Sequence, residues 1–198
     1  MKILVTGGAG FIGSHLVEEL LSNENEILIF DNCLTGKKEN LDISGNFKFI
    51  NDDFGSESSL EEIERFNPEI CFHLAAQSSV VISVEDPALD FEHNILQPIK
   101  LIQVLLKSNC KKLVFTSSGG TIFGEPTTIP TAEEDYADEP ESPYGVAKKR
   151  LNELIKIMTK NSNLKYSILN LSNVYGPRQD PYGEAGVVSI FAKKYLNN

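Results

Sequence analysis

The chain has 198 residues, 41% apolar and 23% charged, with 28 acidic against 18 basic side chains and a formal net charge of −10. That length makes one domain, or one and part of a second, and the apolar content supports a sizeable core and argues against disorder. So acidic a chain is poorly suited to non-specific binding of nucleic acid or of an anionic membrane.

Residues 2–6 (KILVT) read as a strand that runs into glycines. Helical periodicity follows over 10–22, with Ile12, Leu16, Val17, Leu20 and Leu21 on one face. Further strands are expected at 26–31 (EILIFD) and 47–51 (FKFIN), a short helix at 58–66, and a fourth strand at 69–75 (EICFHLA). A long helix is expected at 90–108, interrupted or bent near Pro98. A strand at 112–117 (KLVFTS), a helix at 143–160 and a sixth strand at 166–171 complete the alternation. The segments 127–142, rich in acids and prolines, and 179–186, polar with two glycines, read as a solvated connection and as a lid or domain boundary. The three cysteines, Cys33, Cys71 and Cys110, lack metal-ligand spacing and are expected as reduced thiols, Cys71 within the core. The N-terminus lacks the apolar core of a signal peptide, and no stretch approaches the roughly 20 apolar residues of a membrane span. A cytoplasmic protein is expected.

Apolar strands separated by helices imply an α/β fold, a doubly wound parallel sheet covered on both faces. Ligands of such sheets sit at the carboxyl ends of the strands. Gly7, Gly10 and Gly13 lie there, after a strand and at the opening of a helix. In that context the first glycine permits a tight turn, the second lets backbone approach a pyrophosphate, and the third lets the helix pack on the sheet. Backbone N–H groups and the helix dipole then favour phosphate charge. Asp31, at the end of the second strand, can accept hydrogen bonds from both hydroxyls of an adenosine ribose and repels a 2′-phosphate, which favours NAD over NADP. Asp53, after the third strand, is placed either to reach an adenine amino group or to cap the turn before Ser56.

Tyr144 and Lys148 are four apart on a predicted helix and share one face. Ser118 lies just past the fifth strand. A phenol is a poor base at neutral pH, but a nearby ammonium and a positive nicotinamide stabilise the phenolate. Together with the glycine loop, the three residues point to a Ser–Tyr–Lys catalytic set. His15, His73 and His93 carry no such pattern, and His73 is expected in the core.

These residues, with LAAQ (Leu74, Ala75, Ala76, Gln77) and NVYGPRQ (Asn173 to Gln179), resemble the extended short-chain dehydrogenase/reductases, and within them the NAD-dependent nucleotide-sugar epimerases of the UDP-glucose 4-epimerase type. The resemblance spans essentially the whole chain. It implies a Rossmann-like sheet of about six strands, with residues 1–178 binding NAD. Gly7, Gly10, Phe11, Ile12 and Gly13 would cradle the cofactor, Asp31 and Asn32 would hold the ribose, and Asp53 and Phe54 would flank the adenine. Leu74, Ala75, Ala76 and Gln77 would line the cofactor beyond the fourth strand, with Asn94 in the helix behind. Ser118, Tyr144 and Lys148 would be catalytic, Tyr144 as the base and Lys148 also on the nicotinamide ribose. Ser118, Gly119 and Asn173 would meet a nucleotide sugar, a UDP-hexose by resemblance. No metal is implied.

The family's 4,6-dehydratases place an acid pair after the Ser or Thr, where this chain has Gly119 and Gly120. A nucleotide-sugar reductase of the same superfamily, or an inactive NAD-binding fragment, are the competing expectations. Phe123 stands where the family usually has tyrosine, and Asn170 where arginine is common. Relatives continue well beyond this chain's last residue, so residues 179–198 are expected to begin a largely missing substrate subdomain, with Val187, Ile190, Phe191 and Tyr195 on one helical face. The resemblance also implies a homodimer. Its two-helix contact would use Ile95, Ile99, Ile102 and Leu106 with Leu151, Leu154 and Ile155.

Overall fold

The computed structural model describes residues 1–125, 128–132, 139–182 and 186–197. Six parallel strands form one sheet in the order β3-β2-β1-β4-β5-β6. They are β1 (Lys2–Thr6), β2 (Glu26–Phe30), β3 (Phe47–Ile50), β4 (Ile70–His73), β5 (Lys112–Ser118) and β6 (Lys165–Leu171). Helices α1 (Phe11–Leu21), α2 (Glu57–Phe66), α3 (Val80–Glu85), α4 (Pro87–Phe91), α5 (Gln97–Lys107), α6 (Pro143–Thr159) and α7 (Val187–Leu196) complete the described elements, with a 3-10 turn at Lys38–Leu41.

The period of two along the central strands builds two cores. Leu4, Leu28, Phe30, Leu113 and Phe115 face one side, where Ile63, Leu101, Leu105, Leu151 and Ile155 of α2, α5 and α6 cover them. Ile3, Val5, Ile27 and Ile29 face the other, against Val17 of α1 and Leu41. Both faces being buried, β1 and β2 hold no polar alternation at all. Cys71 lies in the first core, as expected. The strand order reverses between β1 and β4, and the carboxyl edges on either side of that switch open a crevice. No helix among the described residues is long and apolar enough to cross a membrane.

Two expectations need correction. The helix expected from residue 90 starts earlier, because Asp86 accepts a hydrogen bond from the Leu89 N–H and Pro87 takes the first helical position. The bend is a π-helical stretch at Glu92–Leu96, just before Pro98, whose ring nitrogen cannot supply the usual bond to the carbonyl four residues back. The second correction concerns the helix faces assigned to a dimer. Ile102, Leu151 and Ile155 are buried in the chain's own core, and Leu106 and Leu154 pack against it. Exposed apolar side chains along and just ahead of these helices are Leu89 and Phe91 of α4, Leu96 of the π stretch and Ile157 of α6. Helix α7 forms where expected and buries no residue. Of the two loops singled out in the sequence, residues 133–138 and 183–185 lie outside the described residues.

Leu101 is fully buried between α5 and the sheet. Leu101→Ala is expected to cost about 2–5 kcal/mol of folding stability, read as a lower urea midpoint with unchanged slope.

Candidate active site

The crevice at the switch point is a cavity of about 930 Å³. Its floor is the turn between β1 and α1. Gly7 has φ +75°, and a Cβ there would lie 2.6 Å from the Ala75 nitrogen, so only glycine lets β1 leave the sheet so close to the backbone after β4. A Cβ on Gly13 would sit 2.0 Å from the Gly7 carbonyl oxygen. The first turn of α1 therefore lies directly on the loop. Gly10 caps that helix with no side-chain hydrogen bond, which leaves the opening N–H groups facing the cavity without a competing side chain.

Asp31 ties the turn to β2. Its Oδ2 accepts from the Ala9 N–H and its Oδ1 from the Cys33 N–H, both at 2.9 Å. Each carboxylate oxygen keeps a second lone pair for a ligand. Ala9 is further held by Lys37 N–H (3.0 Å) and Asn40 Nδ2 (2.8 Å), both donating to its carbonyl. Asp53 accepts from Gly55 N–H and Gln97 Nε2 and faces His93 Nδ1 at 3.5 Å. The cluster around the start of α2 belongs instead to Asp52, whose Oδ2 accepts from the hydroxyls of Ser56, Ser58 and Ser59. These bonds hold the Asp52 carboxyl below the usual carboxylate range.

The chemistry-bearing set gathers at the end of β5. Helix α6 starts with Ser142 accepting from the Gly145 N–H, with Pro143 at its first position. Gly145 packs so tightly that a Cβ would come 2.6 Å from the Thr121 carbonyl oxygen. That close approach sets Tyr144 near Ser118, whose hydroxyl works against the upward push of burial on the phenol. One turn on, Lys148 is buried, donates to the Thr116 carbonyl at 3.1 Å, and lies 4.8 Å from the Phe115 ring centre and 5.8 Å from that of Tyr144. Burial pushes the Tyr144 phenol up to about 12 and the Lys148 ammonium down to about 8. His73 is buried under this layer as expected, its Nδ1 2.7 Å from Thr6 Oγ1 and its ring stacked on Phe115. Burial, with the Lys148 charge adding to it, pushes it down to about 3, so the imidazole is neutral.

Sequence-expected residues sort into three groups. Gly7, Gly10, Phe11, Ile12, Gly13, Asp31, Asn32, Asp53, Phe54 and Leu74 to Gln77 line the large cavity. Thr116 of β5 lines it too, while Gly119, Phe123, Asn170 and Asn173 line a second cavity of about 530 Å³ at the ends of β5 and β6. Ser118 ends β5, and Tyr144 and Lys148 lie on α6; none of the three lines either cavity, and Lys148 reaches the larger one only through its bond to the Thr116 carbonyl. Asn94 is buried behind the wall, donating to the Gln77 carbonyl. Sequence reasoning missed Lys37, Asn40, His93 and Arg178. Arg178 and its neighbours close the crevice from above: Arg178 pairs with Glu18 of α1 at 2.8 Å, and His15 Nε2 lies 3.0 Å from the Pro177 carbonyl oxygen. The NVYGPRQ motif was the available signal for Arg178; the others depend on folding brought about far along the chain.

Comparison with known proteins follows the same lines. The model of the NAD dependent epimerase/dehydratase family matches residues 3–198. The UDP-glucose 4-epimerase of Mycolicibacterium smegmatis is 40% identical over 199 residues, which cover 99% of this chain and 63% of that protein. The crystal structure of a UDP-glucose 4-epimerase from Thermotoga maritima with UDP-glucose superposes with TM-score 0.93 at 45% identity, covering 100% of this chain and 63% of the other. A Thermus thermophilus UDP-glucose 4-epimerase in complex with NAD gives TM-score 0.91 at 44% identity, with the same coverage. The chain thus spans just under two thirds of the length of these relatives.

The position of the buried phenol is directly measurable. In an ultraviolet pH titration of the ligand-free chain, the difference between wild type and Tyr144→Phe should contain one tyrosine that ionises above pH 11 and contributes no phenolate at pH 8. A phenolate contribution from Tyr144 at neutral pH would contradict the burial described.

Proposed function

The chain belongs to the NAD dependent epimerase/dehydratase family, and on that premise we propose that it carries the cofactor-binding and catalytic part of an NAD-dependent nucleotide-sugar epimerase acting on UDP-glucose and UDP-galactose. The observation that carries the reading is the Ser118–Tyr144–Lys148 set at the end of β5, beside a glycine-floored crevice. The similarity to UDP-glucose 4-epimerases at 40–45% identity supports the substrate class. Gly119 and Gly120 support epimerisation over dehydration, because no acid follows Ser118 to expel water.

The crevice suits a dinucleotide. Its volume is in the range of ligand clefts, and at Gly7 and Gly13 a Cβ would strike the chain's own backbone, so the turn and the first turn of α1 pack closely enough to present backbone N–H groups. In this reading the first turn of α1 holds the pyrophosphate, Asp31 and Asn32 the adenosine ribose, and Asp53 and Phe54 the adenine. Leu74, Ala75, Ala76 and Gln77 wall the crevice toward the nicotinamide, with Asn94 bracing Gln77 from behind. Asp31 at the ribose favours NAD over NADP, since a 2′-phosphate would meet its charge.

Bound NAD supplies a hydride acceptor and a positive charge beside the phenol. Tyr144 Oη takes the proton of the sugar hydroxyl and later returns it. Burial makes the phenol hold its proton, and positive charge beside it favours the phenolate. Ser118 Oγ holds the same sugar oxygen, and Lys148 supplies a fixed cation and a hydrogen bond to the ribose. Gly119, where a Cβ would press on the β6 backbone, meets the sugar with its main chain, and Asn173 reaches the phosphates.

Residues 1–178 are the cofactor-binding unit and 179–198 the start of the substrate-binding part; an α7 with no buried residue supports that division. The exposed Leu89, Phe91, Leu96 and Ile157 support a homodimer through these helices. Free cysteines and the substrate class support a cytoplasmic location.

Two measurements test this. Purified chain with NAD should convert UDP-galactose to UDP-glucose, followed by NMR of the anomeric protons, and Tyr144→Phe should lose at least about 100-fold of that rate; conversion unchanged by the substitution would remove Tyr144 from the mechanism. Independently of turnover, calorimetric titration should detect NAD binding that Gly13→Ala abolishes, because the added Cβ has no space at the Gly7 carbonyl. Absence of NAD binding to the wild-type chain would sink the cofactor assignment.

A further inference from the structure

Helix α4 carries a carboxylate that none of these roles uses. Asp90 has no exposed surface. Its Oδ1 accepts from Gln77 Nε2 at 2.8 Å and from Asn94 Nδ2 at 2.9 Å, while its Oδ2 is buried with no hydrogen-bond partner. Gln77 in turn grips its own loop: its Nε2 also donates to the Ser79 carbonyl, and its Oε1 accepts from the Ser79 N–H. That loop is a wall of the large cavity. Helix α6 packs across α4, bringing the buried Lys148 within electrostatic reach of Asp90.

An ionised carboxylate in such a place is expensive unless a cation opposes it, and the same holds for a buried ammonium. Lys148 gives a hydrogen bond to the Thr116 carbonyl, so Asp90 acts on it through space rather than through a shared bond. Resting on the reading of Tyr144 and Lys148 above, we propose that Asp90 is a positioning residue for that pair: its buried carboxylate, tied to the wall of the cofactor crevice through Gln77, keeps the Lys148 side chain charged.

The surroundings bear out the assignment of partners. The titratable groups that act on Asp90 or Lys148 are Lys148 and Tyr144 of α6, which packs on α4, His93 one turn along in the same helical run, and the neutral His73 of β4; Glu85 of α3 is exposed. Burial pushes Asp90 up from the ordinary carboxylate range, and its two hydrogen bonds and the Lys148 charge pull it back. The Asp90 charge opposes the downward push of burial on Lys148, and it adds to the upward push on Tyr144.

Asp90→Asn keeps size and shape and removes the charge. If the role is electrostatic, Lys148 should lose its proton about one pH unit lower in the variant. If Asp90 only packs, loosening would admit water and move Lys148 upward toward the value of a free lysine. The two cases differ in sign. The measurement is NMR titration of ε-labelled lysines in the cofactor-free chain, with Lys148→Arg to assign the signal. A midpoint unchanged or raised in Asp90→Asn overturns the proposal. Should that variant fail to fold, the coupling is read from the other end, since it is reciprocal: in Lys148→Met the labelled Asp90 carboxyl should titrate at higher pH than in wild type, and an unmoved carboxyl overturns the proposal equally. Neither titration needs NAD or turnover. A chain that fails to epimerise can still reveal the coupling, and a missing coupling leaves the epimerase assay intact.

Discussion

The crevice exists because the chain between β1 and α1 passes within contact distance of three other backbone segments at once. Gly7 N–H donates to the Phe30 carbonyl of β2 at 2.7 Å, Leu74 N–H after β4 donates to Thr6, and the first turn of α1 rests on the Gly7 carbonyl. Side chains would hold these segments apart. With glycine at Gly7 and Gly13 the gap closes, α1 is aimed into the crevice, and Asp31 can clasp Ala9. The walls and the lid then have a fixed floor to meet: Lys37 and Asn40 bond to that same Ala9, and Pro177 and Arg178 rest on α1.

What the sequence makes legible follows from how local its causes are. The strands are short apolar runs between glycines and caps, and all six lie within a residue or two of where periodicity puts them. The Tyr144–Lys148 spacing is a property of one helix, so it survives folding unchanged. Helix α3 was invisible because VVISV is rich in β-branched residues and reads as a strand; Ser79, accepting from the Ile82 N–H, starts the helix despite that preference. The sequence pattern could not separate a dimer face from a core face on α5 and α6, since both are apolar at helical spacing. Ile102 and Ile155 were claimed by the sheet beneath them. Asn94 lies in the helix behind the crevice wall, as the resemblance implied, where it donates to the Gln77 carbonyl. Asp90 read as the start of a helix; only the packing of α4 on α6 gives its charge a purpose.

The site therefore concentrates polar groups where the fold would otherwise bury hydrocarbon. Lys148, Asp90, Asn94, Gln97 and His73 are all buried within the layer between the sheet and its helices. His73 solves the problem by staying neutral and bonding Thr6. Lys148 donates to the Thr116 carbonyl, and Asp90 accepts from Gln77 and Asn94. His73 Nε2, Asp90 Oδ2 and Asn94 Oδ1 are buried in this layer with no hydrogen-bond partner.

The strand order carries a consequence for how the molecule is made. Synthesis proceeds from the N-terminus, so β1, β2 and β3 emerge before the other strands and can pair as a half-sheet whose inner strand, β1, waits with one edge open until β4 arrives. The glycine floor leaves the ribosome with the first strand, yet the residues that roof it, Pro177 and Arg178, follow only after all six strands have been made. Until then the crevice on the nascent chain is an open trough, accessible to solvent and chaperones. It gains its last wall only when that later segment folds back onto α1.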